Sequence, residues 1–236
     1  MTPTRIAVIP GEPRARVELT VGALAPRLIS RESARAHVAV AAAGMVLLGG
    51  DRVDIEIDIA PGCTLEIEDV GGTVAYPGPR STWNLSVRIG AGGALTWDGL
   101  PFVVTTGADV LRRSSLTLGA DARAVIRETL VLGRHGEHGG RLVSELAVTD
   151  DEGPLVVERL DVHGDAPEPG VLGDNRVLDA VIAIGFRPPT RAADLEFAGA
   201  GAMARHLSDH THGSPLDDVW GSWVAHAERS RHDVTV

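Results

Sequence analysis

The sequence has no lysine, a single cysteine and few aromatic residues. All 22 cationic side chains are arginine, Cys63 stands alone, and Phe, Trp and Tyr together make up 3% of the chain. A lone thiol excludes an internal disulfide and a thiolate metal cluster, and it fits a reducing compartment, so a cytoplasmic location is expected. Without lysine there is no glycine-rich phosphate loop ending in Lys, and neither a nucleophile elbow nor paired cysteines occur. The all-arginine cation set reads as compositional bias rather than as an adaptation to phosphate. The longest apolar stretch, Val38 to Leu48, falls short of the roughly 18 residues that cross a bilayer and reads as a buried strand. No export signal is expected either, because no basic segment followed by an apolar run opens the chain.

Acidic residues outnumber basic ones, giving a formal net charge of −10. Such a field repels nucleic acid and anionic lipid while concentrating cations and basic partners, so neither nucleic acid nor a membrane is an expected partner. What is abundant is aliphatic surface and turn formers. Hydrophobic residues make up 44% of the 236 residues, with 28 Gly and 14 Pro. A core of Val, Leu, Ile and Ala divided by many turns favours short strands, arranged here as one domain over residues 1–236.

From Val53 to Glu128 a strand-turn-strand unit recurs with a period of about 30 residues. Asp54–Ile59 leads through Ala60-Pro61-Gly62-Cys63 to Thr64–Glu68. Leu85–Ile89 then leads through Gly90-Ala91-Gly92-Gly93 to Ala94–Asp98, and Ser115–Leu118 through Gly119-Ala120-Asp121-Ala122 to Arg123–Glu128. Ile59, Ile89 and Leu118 are equivalent, as are Leu65, Leu95 and Ala124. Each copy alone exposes one apolar face, so the copies should stack and share a core. The expected fold is all-β dominated: a layered, β-helix-like stack of antiparallel and mixed sheets over about residues 36–187. A C-terminal strand and amphipathic helix over 188–236 would follow it.

Leu142–Thr149 and Leu155–Val162 read as a hairpin, and Val177–Ile184 as strand or helix. Ser214-Pro215 with Asp217 and Asp218 marks a helix start, followed by Leu216, Val219, Trp220, Trp223, Val224 and Ala227 at helical spacing. Trp220 and Trp223 either dock this helix on the sheet or offer a partner surface.

Candidate chemistry is sparse, and no enzyme is expected. Cys63 sits in a turn, where a packed small residue is the simpler reading than a nucleophile. His135 and His138 flank Glu137 in a glycine-rich loop, and His206, His210 and His212 form a second cluster; either could bind a transition metal peripherally or simply be solvated. Glu68, Asp98 and Glu128 lie 30 residues apart near strand ends. Stacked in register, they would converge and attract a cation.

Several segments resemble, in order, the landmarks of the urease accessory protein UreD (UreH) family. They are Gly49-Gly50-Asp51 before a strand, Ala60-Pro61-Gly62-Cys63, Val74-Ala75-Tyr76, Gly93-Ala94-Leu95-Thr96-Trp97 and Arg127 to Arg134. Pro154 to Leu160, Arg205-His206-Leu207-Ser208-Asp209 and Asp218-Val219-Trp220 complete the series, which spans roughly residues 44–228. The resemblance implies a layered β fold with a few C-terminal helices, acting as a maturation scaffold and not as an enzyme. It implies binding to UreF, through it to the GTPase UreG, and docking on apo-urease, with a homodimer within the accessory complex compatible with this. No permanent cofactor is implied, only transient Ni²⁺ in an internal water passage lined by the positions matching Asp51, Thr73, Glu128 and Glu158. Scattered oxygen ligands suit such traffic because they release nickel readily, whereas thiolates or several imidazoles would hold it. This chain departs from the family pattern at Glu66 to Thr73 and is shorter at its N-terminus and between Ile184 and Phe197.

Two other readings compete. A β-solenoid-like interaction module without metal transfer would share the stack but not the passage. A cupin-like metal-dependent enzyme would need histidines on the core strands, and Val53 to Glu128 contains none.

Overall fold

The computed structural model describes residues 2–168 and 170–232. In chain order the strands begin with β1 (Thr4–Ile9), β2 (Arg16–Thr20), β3 (Leu24–Arg31) and β4 (Arg35–Ala42). The repeats supply β5 (Arg52–Ile59), β6 (Thr64–Asp69), β7 (Thr73–Ala75), β8 (Ser81–Ile89), β9 (Ala94–Asp98), β10 (Phe102–Val104), β11 (Asp109–Leu118) and β12 (Arg123–Leu132). After them come β13 (Arg141–Asp150), β14 (Gly153–His163), β15 (Val177–Ile184), β16 (Leu195–Glu196) and β17 (Gly201–Ser208), then helix α1 (Asp217–His232).

These strands form two facing sheets. Sheet A runs β14-β13-β11-β8-β5-β1-β2, and sheet B runs β16-β17-β15-β12-β9-β6-β4-β3, with β10 beside β12 and β7 beside β10. Each repeat sends its first strand to sheet A and its second to sheet B, so successive copies lie parallel in both: β5, β8, β11 and β13 in one, β4, β6, β9 and β12 in the other. This β-solenoid-like stack carries the expected register, Ile59 beside Ile89 beside Leu118 and Leu65 beside Leu95 beside Ala124. Antiparallel strands finish its ends, among them the β13–β14 hairpin and β15, which is a strand.

The turns explain the stacking. Their third residues, Gly62, Gly92 and Asp121, all have left-handed backbone (φ +70°, +63° and +57°), a conformation that glycine adopts freely and Asp tolerates. Gly62 N–H donates to Ala91 O and Gly92 N–H to Ala120 O, so turn hydrogen-bonds to turn down the stack. Cys63 is the buried fourth residue of its turn and donates its N–H to Ala60 O.

Alternation then builds two cores. Val53, Ile55, Ile57 and Ile59 meet Leu65, Ile67, Leu95 and Ile126 between the sheets. On the other face of sheet B, Val125, Val181, Ala183, Ala202 and Ala204 pack under α1 through Leu216, Val219 and Trp223. Ser214 Oγ accepts the Leu216 N–H at 3.2 Å, and Asp217 and Asp218 occupy the first turn of α1, both favourable at a helix N-terminus.

Two expectations need correction. The resemblance implied a few C-terminal helices, yet the described residues contain one. The stack also begins well before residue 36, since β1 pairs with β5 in parallel and β3 pairs with β4. These early strands carry weak alternation, with no residue of β2 buried and most of β3 exposed, so periodicity gave little to read.

Candidate functional site

The inner face of the sandwich is apolar except along one band. In β6, β11, β12, β14 and β17 the inward positions include Asp69, Arg112, Glu128, Glu158 and Arg205, each interrupting an aliphatic series. Glu128 sits where sheet B is broken. On β12, Arg127 pairs with Asp98 of β9 and Leu130 with Phe102 of β10, so Glu128 faces the 99–101 interruption between those strands. Gly99 allows the close approach there, because a Cβ on it would lie 2.6 Å from the Arg127 carbonyl oxygen.

Two small cavities meet at Glu128. One, of about 50 Å³, is lined by Asp69, Thr73, Trp83, Trp97, Phe102, Arg112 and Glu128 among others. The second, of about 30 Å³, is lined by Glu128, Ser144, Glu158, Leu160, Ala180 and Arg205 among others. Glu128 and Leu130 line both. Each has room for a few water molecules, taking roughly 10–15 Å³ for one.

Two ion pairs bridge the sheets along this line. Arg112 of β11 donates to Glu128 Oε1 at 2.5 Å, with side-chain exposures of 11% and 22%. Arg205 of β17 donates to Glu158 of β14, each about a third exposed (32% and 30%). The first pair is therefore deep, and the second sits at the open margin where β14 ends sheet A. Burial opposes ionisation of the Glu128 carboxyl, but the field and hydrogen bond of Arg112, helped by Arg205, outweigh it and hold its pKa below the usual range. Asp69 differs. Burial pushes its pKa up, against the N–H donors of Leu100 (3.0 Å) and Trp97 (3.1 Å) and the field of Arg112. Arg112 also keeps a buried Nε without a hydrogen-bond acceptor and lies 5.8 Å from the Phe102 ring centre.

The other candidates fall elsewhere. Asp51 precedes β5, accepts the Leu48 N–H at 2.8 Å and lines neither cavity; it caps a turn and does not join Thr73, Glu128 and Glu158. Glu68, Asp98 and Glu128 do not converge either. Glu68 pairs with Asp98, but the third place in that row belongs to Arg127, which puts Glu128 on the opposite face. His135 and His138 occupy an exposed loop whose Glu137 is bound by Arg134, an interaction that pulls its carboxyl down to about 2. His206 lies on β17 beside Asp179 of β15, while His210 and His212 stack on each other (5.7 Å) in the following loop. Among the described residues no three His, Cys, Asp or Glu side chains are grouped to hold a metal ion.

Trp223 is 1% exposed and donates its Nε1–H to Pro189 O at 2.9 Å, so it is part of the helix-docking core and unavailable to a partner. Trp220 is half-buried against the same cluster. Sequence reasoning passed over Asp69, Arg112 and Arg205 as site residues. Their signal was a charge at an inward place of an alternating strand, as in Leu65-x-Ile67-x-Asp69.

No helix among the described residues is long and apolar enough to cross a membrane. Comparison with known proteins adds a family to this geometry. The sequence model described as UreD urease accessory protein matches residues 21–222. Urease accessory protein UreD 1 of Streptomyces griseus is 43% identical over 197 residues, covering 80% of this chain and 77% of that protein. UreD 3 of the same organism is 32% identical over 199 residues (80% and 74%), and the UreD of Streptomyces avermitilis 30% over 202 residues (83% and 77%). A match over most of the chain, with landmarks in order along a stacked β fold, places it in the UreD urease accessory protein family.

Proposed function

We propose that this chain serves urease maturation as a non-catalytic accessory protein, and that Ni²⁺ crosses it between the two sheets on the way to apo-urease. In this reading the cargo meets Asp69 and Thr73, then Glu128, then Glu158, and UreF with the nickel-carrying GTPase UreG docks at one end. The observation that carries it is the meeting of two cavities at Glu128, which brings oxygen ligands from β6, β7, β12 and β14 into one line through an otherwise aliphatic interior. Carboxylate, hydroxyl and water are ligands that a borderline metal ion leaves readily. A conduit must release what it binds.

Glu128→Gln tests the proposal. The variant keeps shape and hydrogen-bonding capacity but loses the charge. Co-produced with urease and its accessory proteins at matched levels, it should lower the nickel content of purified urease several-fold. Unchanged nickel content with a folded, normally abundant variant would reduce the chain to an interaction module that metal does not traverse.

A further inference from the structure

Both carboxylates that line the second cavity already carry a cationic partner. Glu128 is held by Arg112 and Glu158 by Arg205, and both guanidinium groups come from the sheet opposite their acid. Each arginine thus occupies a place that a divalent ion would need, with the same sign of charge. A metal ion on the same carboxylate would lie within a few ångströms of the guanidinium, and like charges that close in a low-dielectric interior weaken its binding.

We propose that Arg112 is an internal counter-ion gate that keeps the passage closed to divalent cations in the free protein, and that it opens by moving from Glu128 to Asp69. This rests on the passage reading above and adds its control. Three observations support the exchange. Arg112, Glu128 and Asp69 line the same cavity, so the guanidinium has a second carboxylate beside it. That second carboxylate accepts from the neutral N–H donors of Trp97 and Leu100, feels the field of Arg112, and forms no ion pair among the described residues. Arg112 is loosely held where it sits: its buried Nε makes no hydrogen bond to the protein, and Glu128 Oε1 is the acceptor that fixes the guanidinium.

The charge count is the same in both states. Asp69 and Glu128 carry two negative charges against one positive from Arg112, so one carboxylate is always left over. When Arg112 sits on Glu128, the spare acid is Asp69, which lines the same cavity. When it sits on Asp69, Glu128 is released beside the second cavity, which Glu158 also lines. Arg205 at the margin acts as an outer, weaker closure of the same kind, since its pair with Glu158 is a third exposed and screened by solvent.

Calorimetric titration of the isolated full-length chain with Ni²⁺ tests this. The wild-type protein should bind Ni²⁺ weakly. Arg112→Gln should bind at least tenfold more tightly, and Arg112→Gln/Glu128→Gln should return to the wild-type level, which subtracts any surface histidine sites. Arg112→Lys, still cationic, should stay weak. Arg205→Gln should gain a smaller factor, a few-fold, and its exposed setting keeps that variant folded even if Arg112→Gln is not. Circular dichroism confirms folding in each case.

The gate is overturned if folded Arg112→Gln binds Ni²⁺ no more tightly than wild type, or if the gain survives removal of Glu128. With Arg112→Gln unfolded, an Arg205→Gln affinity equal to wild type overturns it. These results are separable from failure of the passage itself. If Glu128→Gln lowers urease nickel while Arg112→Gln leaves Ni²⁺ affinity unchanged, the passage stands without this gate. If Glu128→Gln leaves urease nickel untouched, the passage falls.

Discussion

Arg127 and Glu128 are consecutive residues of one strand, and each belongs to a guanidinium–carboxylate pair, but the two pairs differ in every respect that bears on use. Arg127 points out under α1 and grips Asp179 through two bonds, Nε to Oδ1 at 3.2 Å and Nη2 to Oδ2 at 2.8 Å. Thr129 Oγ1 donates to the same carboxylate at 3.1 Å, and Asp217 takes the remaining Arg127 amine at 2.7 Å. Glu128 points inward to a cavity and holds Arg112 through one bond, leaving a buried donor unmet. A saturated network fixes structure, because every alternative arrangement is worse. An unsaturated one beside a cavity leaves somewhere to go. One strand therefore carries an anchor on one face and a movable contact on the other.

The anchor is the place where the largest effect is expected. Asp179 is 3% exposed, and its removal leaves a largely buried Arg127 with only the exposed Asp217 as a charged partner. Asp179→Ala should cost about 3–5 kcal/mol of unfolding free energy, read by urea denaturation, and should loosen α1 by removing the carboxylate between β12 and its start. A loss no greater than that of an exposed ion pair would show that the network is not saturated and would erase the contrast with Glu128.

Acid should probe the same anchor with a smaller effect. Burial alone would raise the Asp179 pKa, but the hydrogen bonds of Arg127, Ser214 and Thr129 and the field of Arg127 bring it below the ordinary carboxylate range. A carboxyl whose folded pKa is depressed takes up fewer protons in the native state. Its stabilisation is complete above the unfolded value of about 3.9 and disappears as pH falls through the lower, folded one. Melting temperature followed below pH 5 should fall less steeply in Asp179→Asn than in the wild type. Parallel curves would assign the acid lability to other groups.

The contrast was only partly legible in the sequence. The stack could be read because each copy repeats apolar alternation around a turn, and Ile59, Ile89 and Leu118 do lie side by side. The inward charges could not be placed, because alternation has a period of two and one residue of slip reverses the face. Glu68 and Asp98 follow Leu65 and Leu95 by three residues, but Glu128 follows Ala124 by four, so an even spacing of 30 joined residues from opposite faces. Asp51 shares the phase of the inward residues of β5, yet its carboxylate turns to a backbone N–H three residues back. Trp223 could be assigned to core or surface only once the face of α1 against sheet B was known. The arginine partners were hidden for another reason. Arg112 meets Glu128 and Arg205 meets Glu158 across the gap between sheets, a contact set by how strands stack and by no spacing along the chain.

The smallest effect on stability is expected at the margin, and it sharpens the comparison most. Glu158 and Arg205 form a cross-sheet pair like Arg112 and Glu128, but each is about a third exposed, so water screens the charges and remains available to either partner. Glu158→Gln should therefore shift unfolding free energy by no more than about 1 kcal/mol. If the margin is a shallow, solvent-screened copy of the deep contact, this nearly silent change in stability should still lower urease nickel content, though less than Glu128→Gln does. Stability and transfer would then rank the three acids in different orders: Asp179 first for stability, Glu128 first for transfer, and Glu158 ahead of Asp179 for transfer at matched levels of folded protein. A single common order would mean that all three pairs are anchors, and that the open donor on Arg112 has no mechanical consequence.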